Sequence, residues 1–258
     1  MYYFDFIWKR VEFKKLESMS GNLIKKGLMA ILFFSNITYS ASVIMGTRVV
    51  YPSNTNDVMI EIRNDSEEPS LIQAWIDDGD PKALPEQISV PFVLTPPISK
   101  INPKNSQFLR IMALPAAKQL KKTEESIFWL NVVDIPPKPK HSAGSQQNYM
   151  QISIRSRIKL FYRPSSISDD ALHAAKKLKW MHRGEHLLVK NPTPFYISIP
   201  SVFQQDGHRM LDLVSSDGLF LKPHSEQKLS LQSTNMSNMR FISINEYGAK
   251  DEILIRIE

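Results

Sequence analysis

Short runs in which side chains alternate in polarity every second residue are the feature that most constrains how this chain can fold. In the first run Val58, Ile60 and Ile62 occupy every second position, and further runs lie at 71–76, 108–112 and 127–133. Because successive side chains of a strand point to opposite faces, this period of two predicts short β-strands. Turn-rich segments such as 52–57 separate the runs, and such spacing predicts a β-sandwich.

A short helical period interrupts the strands near the middle of the chain. Ala171, Leu172, Ala175 and Leu178 recur at helical spacing after Pro164, with Ser168 as the predicted N-cap. Strand-like runs then resume at 186–190, 195–202, 210–213, 227–231, 241–245 and 252–257. We therefore predict two all-β domains, 41–164 and 165–258.

Composition excludes several classes of function. The sequence contains no cysteine, which removes disulfides, thiolate metal sites and cysteine nucleophiles. Residues 1–40 hold six basic and three acidic residues, so +3 of the formal net charge of +6 belongs to them. The remaining +3 is too small to indicate a nucleic-acid partner.

Residues 1–40 are interpreted as a leader that is removed on export. Two lysines precede the apolar run 28–34, and Thr38 and Ser40 place small residues before a predicted cleavage site at Ala41. The apolar run is shorter than the ~20 residues that a membrane-spanning helix needs. A buried N-terminal strand is the alternative. Residues 1–18 are interpreted as the product of a start codon assigned too early.

The longest strand-like segment covers residues 150–162. Met150, Ile152 and Ile154 share one face of this segment, and polar side chains share the other. Thirteen residues at ~3.3 Å each would extend ~40 Å, which is longer than an ordinary strand. The residues alone leave two interpretations open, a core strand with its apolar side inward or an exposed edge that needs a partner.

Several motifs, taken in chain order, resemble the PapD-like family of periplasmic chaperones in the chaperone–usher pathway. The most recognisable are ESIFWLNVVDIPP at 125–137 and RIKLFYRP at 157–164, and shorter matches lie at 73–76, 95–97, 191–196 and 245–248. The resemblance implies two immunoglobulin-like sandwiches in a boomerang arrangement with a cleft between them. It also implies a periplasmic chaperone that donates a β-strand to the incomplete fold of a pilus subunit and delivers it to an outer-membrane usher.

The resemblance also implies specific site residues. The positions that match the family's subunit-groove donor strand are Met150, Ile152 and Ile154. Arg48 and Lys159 match the two basic residues that bind the subunit's C-terminal carboxylate in the cleft. Asp134, Arg163 and Glu246 match an interdomain charge cluster with a structural role. The loop 138–149 favours the short-loop class of these chaperones.

Other functions receive less support from the sequence. We expect no enzyme activity, cofactor or metal, because His182 and His186 lack the remaining residues of a metal-binding motif. The expected partners are pilus subunits and an usher, and self-association of the free protein through its exposed strand is left open. The main alternative is a secreted immunoglobulin-like fimbrial subunit or adhesin, which would carry one sandwich per subunit.

Overall fold

The computed structural model describes residues 42–138, 150–206, 209–215, 217–233 and 235–258. The predicted leader, its cleavage site before Ala41 and most of the loop 138–149 lie outside the described residues. Within those ranges, no helix is both long and apolar enough to cross a membrane.

Nine strands in the described part of residues 42–163 form the first sandwich. They are β1 (Ser42–Ile44), β2 (Arg48–Pro52), β3 (Asp57–Asn64), β4 (Ser70–Asp77), β5 (Phe92–Thr95), β6 (Ile98–Ile101), β7 (Ser106–Ala113), β8 (Ser126–Ile135) and β9 (Ile154–Arg163). One sheet has the order β1-β3-β7-β5 and the other the order β2-β9-β8-β4-β6. Short 3₁₀ turns lie at Pro85–Gln87 and Pro115–Gln119.

The pairing of β9 is uneven along its length. On one side β9 pairs antiparallel with β8 from Ile154 to Tyr162. On the other side β2 runs parallel to it but covers only Lys159 to Arg163. The first half of β9 therefore has one paired edge and one edge that meets no other strand of the described chain.

The inward-facing residues of both sheets form one apolar core. Among its most deeply buried members are Val49, Tyr51, Ile62, Ile72, Leu109, Ile111, Leu130 and Leu160. Tyr51 also has a polar role, because its hydroxyl donates to the Asn56 carbonyl at 2.9 Å and accepts from the Ala113 amide at 3.0 Å. Alternation along the strands thus places one set of side chains in the core, as the sequence predicted.

The second sandwich is smaller and has its own core. Its strands are β10 (Lys179–Arg183), β11 (His186–Lys190), β12 (Ile197–Asp206), β13 (Arg209–Asp212), β14 (Leu219–Leu221), β15 (Glu226–Ser230), β16 (Arg240–Ile244) and β17 (Lys250–Leu254). One sheet has the order β10-β11-β15, and the other has the order β13-β12-β16-β17 with β14 also paired to β12. Trp180, Leu187, Val189, Ile199, Val202, Leu221 and Phe241 are among its most buried side chains. The all-β prediction of two sandwiches is confirmed.

The predicted helix is present in a different form. Residues Ser165–Lys177 make successive 3₁₀ turns, and the residue that caps them is Pro164. The prediction of Ser168 as the N-cap is therefore wrong, because the turns begin where the proline ring fixes the backbone. Ala174 and Leu178 are buried in the second core, which accounts for the apolar period in the sequence.

Candidate functional site

Two basic side chains stand next to each other where β2 meets β9. Arg48 pairs in register with Lys159, so both side chains leave the sheet on the same face. Their neighbours Val49 and Leu160 point the other way, into the first core. The register therefore brings together the two residues that the resemblance had matched to a carboxylate anchor.

Arg48 reaches across to the second sandwich. Its Nη1 donates a hydrogen bond to the backbone carbonyl of Ile244 at 3.1 Å, and its guanidinium lies 5.9 Å from the centre of the Phe161 ring. Its Nε is buried and has no hydrogen-bond partner among the described residues.

Lys159 lies over an aromatic ring and close to two other positive charges. Its Nζ lies 4.7 Å from the centre of the Phe220 ring, which comes from the second sandwich. Burial lowers the pKa of Lys159 below its ordinary value, and the positive charges of Arg48 and Arg157 lower it further. Burial also lowers the pKa of Arg48, partly offset by the negative charge of Glu125. A bound anion would relieve the repulsion between the two cations.

Aromatic rings from both sandwiches surround this basic pair. Phe161 of β9 lies 5.9 Å from Tyr196 and 6.5 Å from Phe220, measured between ring centres. Tyr196 and Phe220 stack on each other at 5.2 Å. The site is therefore a cleft between the sandwiches, lined by two basic side chains and three aromatic rings, and such a lining favours a negatively charged group.

A buried charge cluster joins the sandwiches beside this cleft. Arg163 donates from Nε to Glu125 at 2.8 Å and from Nη1 to Glu246 at 2.6 Å. The backbone amide of Tyr196 donates to the second oxygen of Glu125 at 2.9 Å. Burial raises the pKa of Glu125, although Arg163 and the Tyr196 amide act in the opposite direction. The predicted contact between Arg163 and Glu246 is present.

The assignment of Asp134 to this cluster needs correction. Its carboxylate accepts from the Ser42 backbone amide at 2.6 Å and from the Ser70 hydroxyl. Asp134 pairs with Ile154, at the opposite end of the β8–β9 ladder from Arg163. Glu125, and not Asp134, is the acidic residue of the first sandwich that contacts Arg163. The antiparallel register could have identified it, because pairing Ser126 with Tyr162 puts Glu125 beside Arg163.

Met150, Ile152 and Ile154 form an exposed apolar row. Their exposed fractions are 84%, 64% and 50%. The row continues the face of β9 on which Ile158 and Leu160 enter the first core. We call the exposed segment 150–154 the donor segment. It therefore extends the core-facing side of the strand beyond the core itself.

The donor segment is less regular than the sequence predicted. The predicted strand begins at Met150, whereas β9 begins at Ile154. The last pair of the ladder joins Asp134 to Ile154, so no strand of the described part of the chain lies beside residues 150–153 to share backbone hydrogen bonds with them. Gln151 Nε2 donates a hydrogen bond to the carbonyl of Pro136 at 2.6 Å.

Two family models match the chain in succession. The model described as "Pili and flagellar-assembly chaperone, PapD N-terminal domain" matches residues 41–168. The model described as "Pili assembly chaperone PapD, C-terminal domain" matches residues 173–253. The chain belongs to the PapD family of pilus-assembly chaperones. The function predicted by the resemblance is confirmed at this level, and the alternative of a fimbrial subunit is not favoured.

Individual relatives agree with this assignment. The probable fimbrial chaperone YadV of Escherichia coli strain K12 is 35% identical over 227 residues, covering 85% of this chain and 91% of the relative. The chaperone protein FimB/FhaD of Bordetella pertussis is 37% identical over 211 residues, covering 80% and 84%. The crystal structure of the CupB2 chaperone of Pseudomonas aeruginosa superposes with a TM-score of 0.71 at 34% identity, covering 84% of this chain and 100% of CupB2.

Proposed function

We propose that this chaperone works in the periplasm by laying its donor segment and β9 into the groove of a pilus subunit that lacks a strand. The observation that carries the proposal is the apolar row of Met150, Ile152 and Ile154 beside an open strand edge. An exposed apolar edge of this kind is an aggregation hazard unless a partner covers it. A subunit with a missing strand supplies a partner of matching chemistry.

The two faces of the contact have separate roles. The open backbone edge of β9 offers hydrogen bonds, and the apolar row offers side chains for pockets in the subunit. Full burial of an apolar side chain contributes roughly 1.5–3 kcal/mol. Three such side chains would hold a subunit without a covalent bond or a cofactor.

Arg48 and Lys159 supply the register of this contact in our proposal. A subunit's C-terminal carboxylate would accept charge-assisted hydrogen bonds from both side chains. Because a slip of one residue turns every side chain to the other face, a fixed chain end determines which pocket each donor residue fills. The glutamate–arginine cluster around Arg163 would maintain the cleft in which this happens.

Export, delivery and self-association complete the proposed cycle. The leader would direct the chain to the periplasm and be removed between Ser40 and Ala41. The loaded chaperone would deliver its subunit to an outer-membrane usher, and exchange of one donor strand for another would release it without ATP.

In the free protein, a second copy could cover the apolar row, and Ile152→Asp should then weaken self-association in sedimentation experiments.

Capture of a co-expressed subunit tests the proposal. Ile152→Asp should abolish co-purification of the major subunit from the same fimbrial gene cluster, because a carboxylate cannot enter an apolar pocket without a partner. The matched control is Met59→Asp, since Met59 is 60% exposed on β3 and Ile152 is 64% exposed. Equal capture by both variants would overturn the proposed role of the donor segment.

A further inference from the structure

The face of β9 opposite the apolar row carries two arginines. Arg155 and Arg157 lie on alternate residues there, with side chains 34% and 22% exposed. Both belong to the half of the strand that lacks β2 as a neighbour. Exposed arginines on such an edge would ordinarily extend into solvent, but each of these is bound to other strands of the same sheet.

Arg155 makes three hydrogen bonds and one ring contact. Its Nε and Nη2 donate to Asn131 Oδ1 at 3.0 and 2.7 Å. Its Nη1 donates to the backbone carbonyl of Pro81 at 2.7 Å. Its guanidinium lies 4.8 Å from the centre of a ring of Trp75. The side chain therefore spans β8 and reaches β4 and the segment that follows it.

Arg157 is bound to a carboxylate that has no contact with solvent. Its Nε and Nη2 donate to the two oxygens of Asp77 at 2.9 and 2.5 Å, and its guanidinium lies 4.6 Å from a ring of Trp129. Asp77 is 0% exposed and also accepts from Asn131 at 2.7 Å and from the Gly79 amide at 2.8 Å. Burial raises the pKa of Asp77, but the hydrogen bonds from Arg157, Asn131 and Gly79 together lower it below its usual range.

These contacts form one continuous network across β9, β8 and β4. Asn131 joins its two halves, because it accepts from Arg155 and donates to Asp77. We call the set Arg155, Arg157, Asn131 and Asp77 the arginine clamp. It is located at the point where β9 loses β2 as a neighbour and the donor segment begins.

We propose that the arginine clamp fixes the base of the donor segment in an extended conformation before a subunit arrives, which makes Arg155 and Arg157 positioning residues for subunit capture. The inference rests on the proposed function of the donor segment. Ordering a flexible segment during binding costs conformational entropy. The clamp already holds the base of the donor segment in an extended conformation in the free protein. Less conformational entropy is therefore lost on binding, and we expect a higher association rate with the subunit.

Amide hydrogen exchange in the free protein tests the clamp without a subunit. Arg155→Gln should raise the exchange rate across residues 154–158 about tenfold, because it removes charge-assisted hydrogen bonds to Asn131 and Pro81. Exchange in β3 and β7 should not change. The matched control is Arg110→Gln, which removes an arginine ion-paired to Asp57 on the other sheet.

The same variants are then compared in subunit capture. The urea-denatured major subunit from the fimbrial gene cluster is diluted into each chaperone, and the association rate is recorded. Arg155→Gln should lower the rate about tenfold and Arg110→Gln should leave it unchanged. Unchanged exchange over 154–158, or an unchanged association rate in Arg155→Gln, would overturn the clamp. If Ile152→Asp also captures subunits normally, the failure is that of the donor segment itself.

Discussion

Glu125 places a buried, ion-paired carboxylate in the contact between the sandwiches, and we expect its removal to destabilise the fold. Glu125 is 3% exposed, and its partner Arg163 has a side chain only 11% exposed. Glu125→Ala would leave the Tyr196 amide unpaired and would leave Arg163 with Glu246 alone. Breaking a buried ion pair by removing one partner costs about 3–5 kcal/mol. Because Arg163 keeps one carboxylate, we expect the lower value, about 3 kcal/mol.

Urea denaturation followed by tryptophan fluorescence would measure this loss. The control is Glu124→Ala, which removes the neighbouring carboxylate and its ion pair with the largely exposed Lys121. This control should leave the free energy of unfolding unchanged within error. A Glu125→Ala variant as stable as the control would show that the cluster does not stabilise the fold, and the reasoning from burial and pairing would be refuted.

Further predictions concern the anchor and the first core. Subunit affinity should fall as pH rises through the pKa of Lys159, which lies below its ordinary value of 10.5. The sign follows from linkage, because a bound carboxylate raises this pKa and binding is complete only while the lysine is protonated. Titration calorimetry should show no such fall for Lys159→Arg. If the affinity of that variant falls over the same pH range as that of the wild-type protein, the role of the lysine is contradicted. Tyr51→Phe should cost about 1–2 kcal/mol in urea denaturation, since it leaves the Ala113 amide and the Asn56 carbonyl without the hydroxyl; no loss would show that water replaces it.

The sequence predicted the sandwiches well because their strands are half-buried. The alternation at 58–62 became β3 (Asp57–Asn64), and the run at 127–133 became β8 (Ser126–Ile135). The extent of β9 was predicted less well. Alternation continues to Met150, but β9 begins only at Ile154, where its ladder with β8 ends one residue before the end of β8 itself. A pattern within one segment cannot report where the neighbouring strand ends.

Contacts between distant segments were the hardest part of the site to predict. The ring of Phe220 beside Lys159 and the carbonyl of Ile244 beside Arg48 come from the second sandwich, and no local pattern connects them to the anchor. The resemblance assigns Asp134 to the charge cluster. The antiparallel register of β8 and β9 instead brings Glu125 next to Arg163, and this register is a property of two strands together that the motif alone does not contain.

The most direct test of the proposed mechanism is the affinity for a subunit whose C-terminal carboxylate has been converted to an amide. Wild-type protein should bind the amidated subunit at least about tenfold more weakly than the natural one, because charge-assisted hydrogen bonds to Arg48 and Lys159 are lost. The double variant Arg48→Met/Lys159→Met should bind both forms equally weakly. Equal affinity of the wild-type protein for the two subunits would contradict the carboxylate anchor.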